Sequence, residues 1–333
     1  MRVGYFGPPG TFTEEALLAS APDGVEPVPF PTIHATIAAL ADGSVRRAVV
    51  PIENALDGSV DATLDALAVD FEDLVIVDEV VRPITHYLVA GGELALEQIE
   101  VVTSHPQGLG QCRRFLRGEL PLARLQPAEG STADAVRLVT TPGHERWAAI
   151  GTRLAADLYG ATVLREAIED HPGNETRFVW LARRGDEPVR AAGGAKTSVV
   201  FWGGGDATPG WLVRCLSELA FRGINLTRIE SRPRRMGLGH YMFFVDLEGA
   251  ADAPTVAEAL TALEAHCEGL RTLGTYPAAR RWRGSSAPSL DFPAISDGRS
   301  RTADPSSVVH AARRAPAAWT SSCWSRARPQ RHV

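Results

Sequence analysis

Long apolar segments are absent from this sequence of 333 residues, and none approaches the roughly 20 residues that a membrane-spanning helix needs. Cysteine is scarce: four residues are spread along the chain without a Cys-x-x-Cys pair, so neither a zinc site nor a disulfide framework is indicated. The net charge of −6 gives no overall basic surface for nucleic acid. We therefore expect a soluble protein that binds a small molecule and has no nucleic-acid or membrane partner.

Targeting and nucleotide-binding motifs are also missing. The N-terminus carries one positive charge and then a short strand broken by glycine, which is too brief for the apolar core of a signal peptide. No Gly-x-x-x-x-Gly-Lys-[Ser/Thr] loop and no correctly spaced Gly-x-Gly-x-x-Gly fingerprint occurs. A cytoplasmic location is expected, and nucleotide binding is unsupported.

Two folded domains are predicted. From residue 1 to about 184, short apolar strands alternate with helical stretches, which indicates an α/β fold with a mainly parallel sheet. Residues 185–194 are poor in apolar side chains and rich in turn formers, so they are interpreted as a linker. Residues 197–280 follow the order strand, helix, strand, strand, helix, strand, with helical apolar periodicity in both helices. This βαββαβ order is typical of a ferredoxin-like unit.

The last segment, 284–333, has a different composition. It is rich in Ser, Pro and Ala and carries scattered arginines, which predicts a disordered basic tail. We assign no function to it.

Several loops of the first domain are suited to binding an anion. Three predicted strand ends run into helix starts with the capping-box pattern, beginning at Thr11, Ser104 and Ser131. Simple capping explains each one alone. Loops after the carboxyl ends of strands gather on one side of an open α/β sheet, and helix N-termini attract anions, so together they also fit a carboxylate-binding cleft.

The segment Asn-Glu-Thr-Arg-Phe at 174–178 places a threonine and an arginine where a loop enters an apolar strand. Alternation along a strand puts Thr176 and Arg177 on opposite faces. Thr176 is either a β-favouring residue at a strand start or a hydroxyl that faces the cleft. Spacing alone favours the first interpretation.

Taken together, six segments resemble the prephenate dehydratase family in order and spacing. They are GPPGTFTEEAL at 7–17, PIENALDGSV at 51–60, SHPQGLGQC at 104–112, STADAV at 131–136, AAIG at 148–151 and NETRF at 174–178. The second domain resembles the ACT regulatory module that follows this catalytic domain, with GWLVRCLSELAFRGINLTRIESRP at 210–233 matching its effector-binding stretches. The resemblance covers about residues 1–280.

This resemblance implies an α/β protein with a bilobal catalytic domain over 1–184, similar to periplasmic binding proteins. A ferredoxin-like βαββαβ ACT domain over 197–280 would follow it. The active site would lie in the cleft between the lobes. One lobe is expected from about 1–79 plus 160–184, and the other from about 80–159.

The implied reaction converts prephenate to phenylpyruvate, with loss of water and CO2, in phenylalanine biosynthesis. Aromatisation drives it, and the electron pair from decarboxylation moves through the ring to the departing oxygen, so no metal or organic cofactor is expected. The leaving oxygen needs a proton or hydrogen-bond donor. The resemblance assigns this catalytic role to Thr176, and His105 and His171 are alternative donors.

Mainly neutral donors are predicted to bind the dianionic substrate. The expected substrate-binding residues are Thr11, Asn54, Ser59, Gln111, Ser131, Thr132, Asn174, Arg177 and Phe178. Arg177 is equally well a structural ion-pair partner. Glu53 is interpreted as loop structure, because an ionised carboxylate would repel a dianion. Ala55 stands where the family often has a serine, which removes one hydroxyl.

The ACT resemblance implies a phenylalanine site at a dimer interface. L-Phenylalanine is therefore the expected effector, and a homodimer or homotetramer the expected assembly. The implied effector-binding residues are Gly210, Leu212, Asn225, Leu226, Glu230, Ser231, Arg232 and Pro233. Trp211 replaces a usually small residue, and its indole is expected to fill the pocket or alter effector choice.

Two other functions remain open on the sequence alone. An arogenate dehydratase would act on a substrate that differs only in an amino group where prephenate has a keto group. A non-catalytic amino-acid sensor would use the cleft and the ACT module for binding alone, and would not need Thr176.

Overall fold

A computed structural model of the chain describes residues 1–186, 194–203 and 208–279. In chain order its strands are β1 (Arg2–Phe6), β2 (Glu26–Phe30), β3 (Arg47–Asn54), β4 (Gly58–Ser59), β5 (Leu74–Pro83), β6 (Tyr87–Ala90), β7 (Val101–Ser104), β8 (Arg124–Pro127), β9 (Trp147–Gly151), β10 (Thr162–Arg165), β11 (Glu175–Arg183), β12 (Ala195–Trp202), β13 (Leu226–Pro233), β14 (Tyr241–Glu248) and β15 (Gly269–Pro277).

The α-helices are α1 (Phe12–Ser20), α2 (Ile33–Ala41), α3 (Asp61–Asp65), α4 (Pro106–Gln111), α5 (Arg113–Glu119), α6 (Thr132–Val139), α7 (Arg153–Tyr159), α8 (Trp211–Ala220) and α9 (Pro254–Glu264). A π-helical turn over Ala66–Asp70 continues α3, and a 3-10 turn covers Leu96–Gln98. No helix in these described ranges is long and apolar enough to cross a bilayer.

The first lobe is built on a sheet with the order β2-β1-β3-β11-β5, and β4 pairs with β3. Strand β1 runs parallel to β2 and β3, whereas β11 runs antiparallel to β3 and β5. The prediction of a mainly parallel sheet is therefore only partly right. Strands β5 and β11 lie at the two crossings between lobes, and β11, the returning strand, enters the first sheet in the opposite direction.

The second lobe has the order β10-β6-β9-β7-β8. Strand β10 pairs with β6 in this sheet, and β5 remains in the first sheet as far as Pro83. The predicted lobe boundaries at 79 and 160 are therefore wrong by several residues. The sheet that the four-residue strand β10 joins is decided by its pairing with the distant strand β6, which the sequence of β10 alone does not encode.

The two lobes touch beside the loop 7–10. The Thr152 hydroxyl donates to the carbonyl oxygen of Gly10 at 2.6 Å, and the Tyr159 hydroxyl donates to that of Pro9 at 2.7 Å. Gly10 has φ +93°, and a Cβ there would lie 2.9 Å from the Cα of Ala155. Glycine is thus required for this approach of the lobes.

The C-terminal domain contains β12, α8, β13, β14, α9 and β15 in that order, which confirms the predicted βαββαβ pattern. Its antiparallel sheet has the order β13-β14-β12-β15. One face of the sheet packs on α8 and α9 around Phe201, Cys215 and Leu263. The other face shares a hydrophobic core with the first lobe, in which Phe244 and Tyr276 are fully buried.

Two predicted segments fall outside this description. Most of the linker at 185–194 and the whole tail at 284–333 lie outside the described residues.

Candidate active site

A cleft of about 270 Å³ lies between the two lobes. Its wall includes seven of the residues predicted to act on the substrate, namely Thr11, Asn54, Gln111, Ser131, Thr132, Thr176 and Phe178. His86, His105 and Gln107 also line it. Among the described residues around this cleft, none is an aspartate, glutamate, lysine or arginine. The cleft therefore offers hydrogen-bonding groups without fixed charges.

Thr176 is held by Asn54 across neighbouring strands. The two residues are paired in register between β11 and β3, and Asn54 Nδ2 donates to Thr176 Oγ1 at 2.8 Å. The Asn54 side-chain oxygen Oδ1 accepts hydrogen bonds from the backbone N–H groups of Leu56 and Asp57, both at 3.0 Å, which fixes the orientation of the side-chain amide. Because Thr176 Oγ1 accepts this bond, its own hydrogen is left to point into the cleft.

A bulge in the β3–β11 pairing contributes to this geometry. The register shifts between Arg177 and Phe178, so Asn54 and Pro51 both reach the cleft opposite Thr176 and Phe178. Bulges next to active sites commonly redirect a side chain in this way. Asn174 does not line the cleft itself. It accepts from Asn54 Nδ2 at 3.0 Å and supports that amide from behind.

Gln111 and His86 form a second polar wall. Gln111 Nε2 donates to the Asp57 carboxylate at 2.9 Å, so its carbonyl oxygen faces His86 Nε2 at 2.8 Å. His86 must then carry its hydrogen on Nε2. Burial lowers the pKa of His86, although Gln111 and Glu169 oppose that shift, so the ring is neutral near pH 7.

His86 was not predicted from the sequence. It belongs to none of the segments that carry the family resemblance, and a single histidine gives no periodic signal. The one available hint was its place just after Pro83, at a crossing between the lobes. The two predicted alternative donors differ: His105 lines the cleft, whereas His171 is not among its lining residues.

Helix caps account for most of the hydroxyl groups at the helix starts. Ser131 Oγ accepts from the Asp134 backbone N–H at 3.1 Å and donates to the Asp134 carboxylate at 2.9 Å. Thr11 caps α1 through a longer bond of 3.4 Å to the Glu14 N–H. The predicted cap at Ser104 is wrong. Its hydroxyl donates to the Ile150 carbonyl oxygen, and the residue before α4, His105, is the cap.

Two predicted substrate ligands, Arg177 and Ser59, lie elsewhere. Arg177 is buried on the face of β11 opposite Thr176, where strand alternation directs it. Ser59 donates to Glu230 at 2.8 Å and accepts from Arg228 at 2.7 Å, so it contacts the C-terminal domain. The structure thus corrects their assignment to the substrate site.

The Arg177 guanidinium meets three carboxylates. Its nitrogens lie 3.2 Å from Glu53, 3.1 Å from Glu79 and 2.6 Å from Asp246. Burial alone would raise the pKa of Asp246, but the charges of Arg177 and Arg228 hold that pKa below its usual value. Asp246 is therefore ionised, and Glu53 serves as an ion-pair partner here.

The predicted effector residues form two separate groups within one chain. Gly210 and Leu212 border a surface cavity of about 500 Å³ together with Tyr241 and Phe243. By contrast, Glu230 bonds to Ser59 of the first lobe. The other members of this second group lie near Glu230 in the chain. Asn225 directly precedes β13, and the rest lie on it, namely Leu226, Ser231, Arg232 and Pro233.

Arg232 is also engaged with the first lobe, where it pairs with Asp61 and with Asp65, at 2.9 Å for the latter. Trp211 borders the cavity that begins at Gly210, and it is also buried in the core against Phe201 and Phe243. That its indole fills the effector pocket or alters effector choice stays a prediction.

A two-lobed α/β domain with a polar cleft between its lobes, joined to a βαββαβ domain, defines a class of two-lobed small-molecule-binding proteins with an appended second domain. Within that class the chain belongs to the prephenate dehydratase family. The family model described as "Prephenate dehydratase" matches residues 3–186.

Known relatives agree over most of the chain. A prephenate dehydratase of Mycobacterium tuberculosis is 39% identical over 300 residues, which cover 87% of this chain and 91% of the relative. The crystal structure of a prephenate dehydratase from Arthrobacter aurescens in complex with L-Phe is 37% identical, with a TM-score of 0.76, and covers 84% of this chain and 90% of its own. GqqA, described as a novel type of quorum-quenching acylase, is 32% identical with a TM-score of 0.74, covering 85% and 100%.

Proposed function

We propose that this protein is a prephenate dehydratase, which converts prephenate to phenylpyruvate, water and CO2 in the cytoplasm. The observation that carries the proposal is the Thr176 hydroxyl, fixed by Asn54 with its hydrogen free toward an uncharged polar cleft. Family membership supports the reaction class.

The proposed chemistry needs one proton at the leaving oxygen. The bond to the ring carboxylate breaks and releases CO2, and its electron pair moves through the ring to expel the hydroxyl group. Thr176 donates a hydrogen bond to that oxygen as negative charge develops on it. A positioned donor of this kind typically contributes about 100- to 1,000-fold in rate. Because a threonine hydroxyl is a weak acid, the proton that completes the leaving water comes from the solvent, through a water molecule that is itself reprotonated.

The Asn54 amide strengthens this donor. A hydroxyl that accepts a hydrogen bond becomes a better donor, because bonds in a chain polarise one another. Substrate binding is proposed for Thr11, Gln111 and Thr132, whereas Asn54, which lines the cleft, holds Thr176, and Asn174 supports Asn54. None of the residues that line the cleft is a carboxylate. The carboxylates of Asp57 and Asp134 contact the wall through Gln111 and Ser131, and the hydrogen bonds they accept there lessen their repulsion of the two carboxylates of prephenate.

Regulation by L-phenylalanine is proposed for the C-terminal domain, supported by the L-Phe complex of the Arthrobacter relative. Gly210 and Leu212 face one cavity, whereas Glu230 and Arg232 point to the first lobe. A site that combines both groups would need residues from two chains. A homodimer or homotetramer assembled through the ACT domains is therefore part of the proposal.

Product formation from candidate substrates tests the function directly. Purified protein incubated with prephenate should generate the absorbance of phenylpyruvate, with a larger kcat/KM than for arogenate. Quorum-quenching acylase activity is the third activity to assay, because GqqA is described as such an acylase. Turnover of arogenate alone, or acylase activity alone, would replace the proposed activity. Binding of prephenate without product would leave the sensor function.

A further inference from the structure

The contact between the C-terminal domain and the first lobe contains a charge network that is largely buried, with Glu53 at its partly exposed edge. Its positive members are Arg177, Lys196 and Arg228, and its negative members are Glu53, Glu79 and Asp246. Lys196 is the single lysine of the sequence, and its amine lies 2.7 Å from Glu79. Equal numbers of opposite charges with close contacts make such burial tolerable.

Asp246 is the member that reaches from the second domain to β11. It lies on β14, and its side chain is only 2% exposed. One carboxylate oxygen contacts Arg177 at 2.6 Å, and the other accepts from the Ser198 hydroxyl at 2.5 Å. Ser198 in turn bonds to the Tyr276 hydroxyl at 2.6 Å. The Asp246 carboxylate is therefore fixed by its own domain and holds Arg177 from outside the first lobe.

Arg177 is connected to the cleft through the backbone of β11. It follows Thr176 in β11, and it is paired in register with Glu53, just as Thr176 is paired with Asn54. These four residues form a two-by-two block in which one pair faces the cleft and the other faces the C-terminal domain. A displacement of the Arg177 backbone must therefore move Thr176 against Asn54.

We propose that Asp246 is a positioning residue for the cleft, supplied by the C-terminal domain, which acts on Thr176 through Arg177. The inference rests on the proposed function, because the position of Thr176 matters only if its hydroxyl serves the reaction. It gives the second domain a part in turnover that does not depend on an effector. It also names the contact through which a change in that domain reaches the cleft.

The main test is the substitution Asp246→Asn, which keeps the shape and removes the charge. We expect kcat to fall about 10-fold with KM changed less than about twofold, because misplacement of the donor affects the transition state more than binding. In a Thr176→Val background the same substitution should change kcat less than about twofold. An equal loss in both backgrounds would show that Asp246 acts elsewhere, and an unchanged kcat would also overturn the proposal.

Asp65→Asn is a matched control. Asp65 also forms ion pairs between the first lobe and the C-terminal domain, with Arg232 and Arg235, but it lies on α3 and not beside β11. We expect kcat within about twofold of wild type. A loss as large as that of Asp246→Asn would attribute the effect to domain docking in general and overturn the specific route.

A milder variant and a structural readout cover a possible folding failure of Asp246→Asn. Ser198→Ala removes only the hydroxyl that donates to Asp246. The methyl resonance of Thr176, followed by NMR, should shift in Ser198→Ala and in Asp246→Asn but not in Asp65→Asn. An unchanged Thr176 methyl resonance in both Ser198→Ala and Asp246→Asn would overturn the inference. This readout needs no turnover, so it is separate from failure of the proposed function, in which wild-type protein forms no phenylpyruvate.

Discussion

The surroundings of β11 differ in charge on its two faces, although Thr176 on one face and Arg177 on the other are consecutive residues. The face with Thr176 and Phe178 looks into a cleft without fixed charges. The face with Arg177 looks into a network of three cations and three carboxylates. The charged side chains on one face of β11 thus have oppositely charged partners within the protein. The other face offers uncharged hydrogen-bonding groups to a charged ligand.

The physical reason lies in solvation. A buried charge is costly unless it is paired and hydrogen-bonded, so Arg177 and Asp246 stabilise the protein only while their partners in the network remain in place. A polar cleft without its own charge carries no such cost while empty. Substitutions on the two faces should therefore have different consequences, for stability on one and for turnover on the other.

The largest expected effect is on the charged face. The Glu79 side chain is only 1% exposed and contacts both Arg177 and Lys196. Glu79→Ala removes this shared carboxylate from the two cations. We expect the free energy of unfolding to fall by about 3–5 kcal/mol, measured by urea titration. The exposed pair of Arg153 and Asp157 provides a control, since Asp157→Asn should have little measurable effect. Equal effects of the two substitutions would contradict the contrast.

On the cleft face, Thr176→Val should affect turnover and not stability. We expect kcat for phenylpyruvate formation to fall at least about 100-fold, equivalent to about 2.7 kcal/mol, with an unchanged circular dichroism spectrum. Thr103→Val is the matched control, because that buried hydroxyl has no hydrogen-bond partner in the described part of the chain. Wild-type turnover in Thr176→Val would remove the hydroxyl from the mechanism.

Ser131→Ala separates capping from substrate binding. Its hydroxyl both donates to and accepts from Asp134, so no further hydrogen remains for a ligand. The expected result is a loss of about 1 kcal/mol in the free energy of unfolding, with KM for prephenate changed less than about threefold. A large rise in KM with unchanged stability would assign Ser131 to the substrate after all.

The smallest effect concerns pH and His86. Its folded-state pKa lies below the ordinary value of about 6.5, so its neutral form stabilises the protein fully above that pH. This contribution is lost as pH falls from about 6.5 through the folded-state pKa, because the unfolded chain takes up the proton more readily. We expect His86→Gln to flatten the decline in unfolding free energy over that range. An NMR titration that gives wild-type His86 a pKa above about 6.5 would contradict this expectation.

Local sequence features predicted part of this architecture. Strand alternation separated Thr176 from Arg177 correctly, and apolar periodicity gave the βαββαβ order. The destination of Arg177 was not predictable, because Asp246 reaches it only after the two domains pack. Ser59 is assigned to the substrate site for the same reason, because its partners Arg228 and Glu230 belong to the C-terminal domain.

Strand pairing over long distances accounts for the other errors. The short strand β10 carries no mark of the sheet that it joins, so the lobe boundary was misplaced. His86 acquires its role from Gln111, which approaches it only in the folded protein. Residues whose function depends on a distant partner thus remain hidden in a single sequence.

Lys196 gives the molecule a built-in chemical reporter. The sequence has no second lysine, and this amine is paired with Glu79 of the first lobe, with 13% of its side chain exposed. An amine-acylating reagent should therefore modify the chain terminus faster than Lys196. The rate of the slower step, read by mass spectrometry, follows how often the ion pair between Lys196 and Glu79 breaks across this boundary.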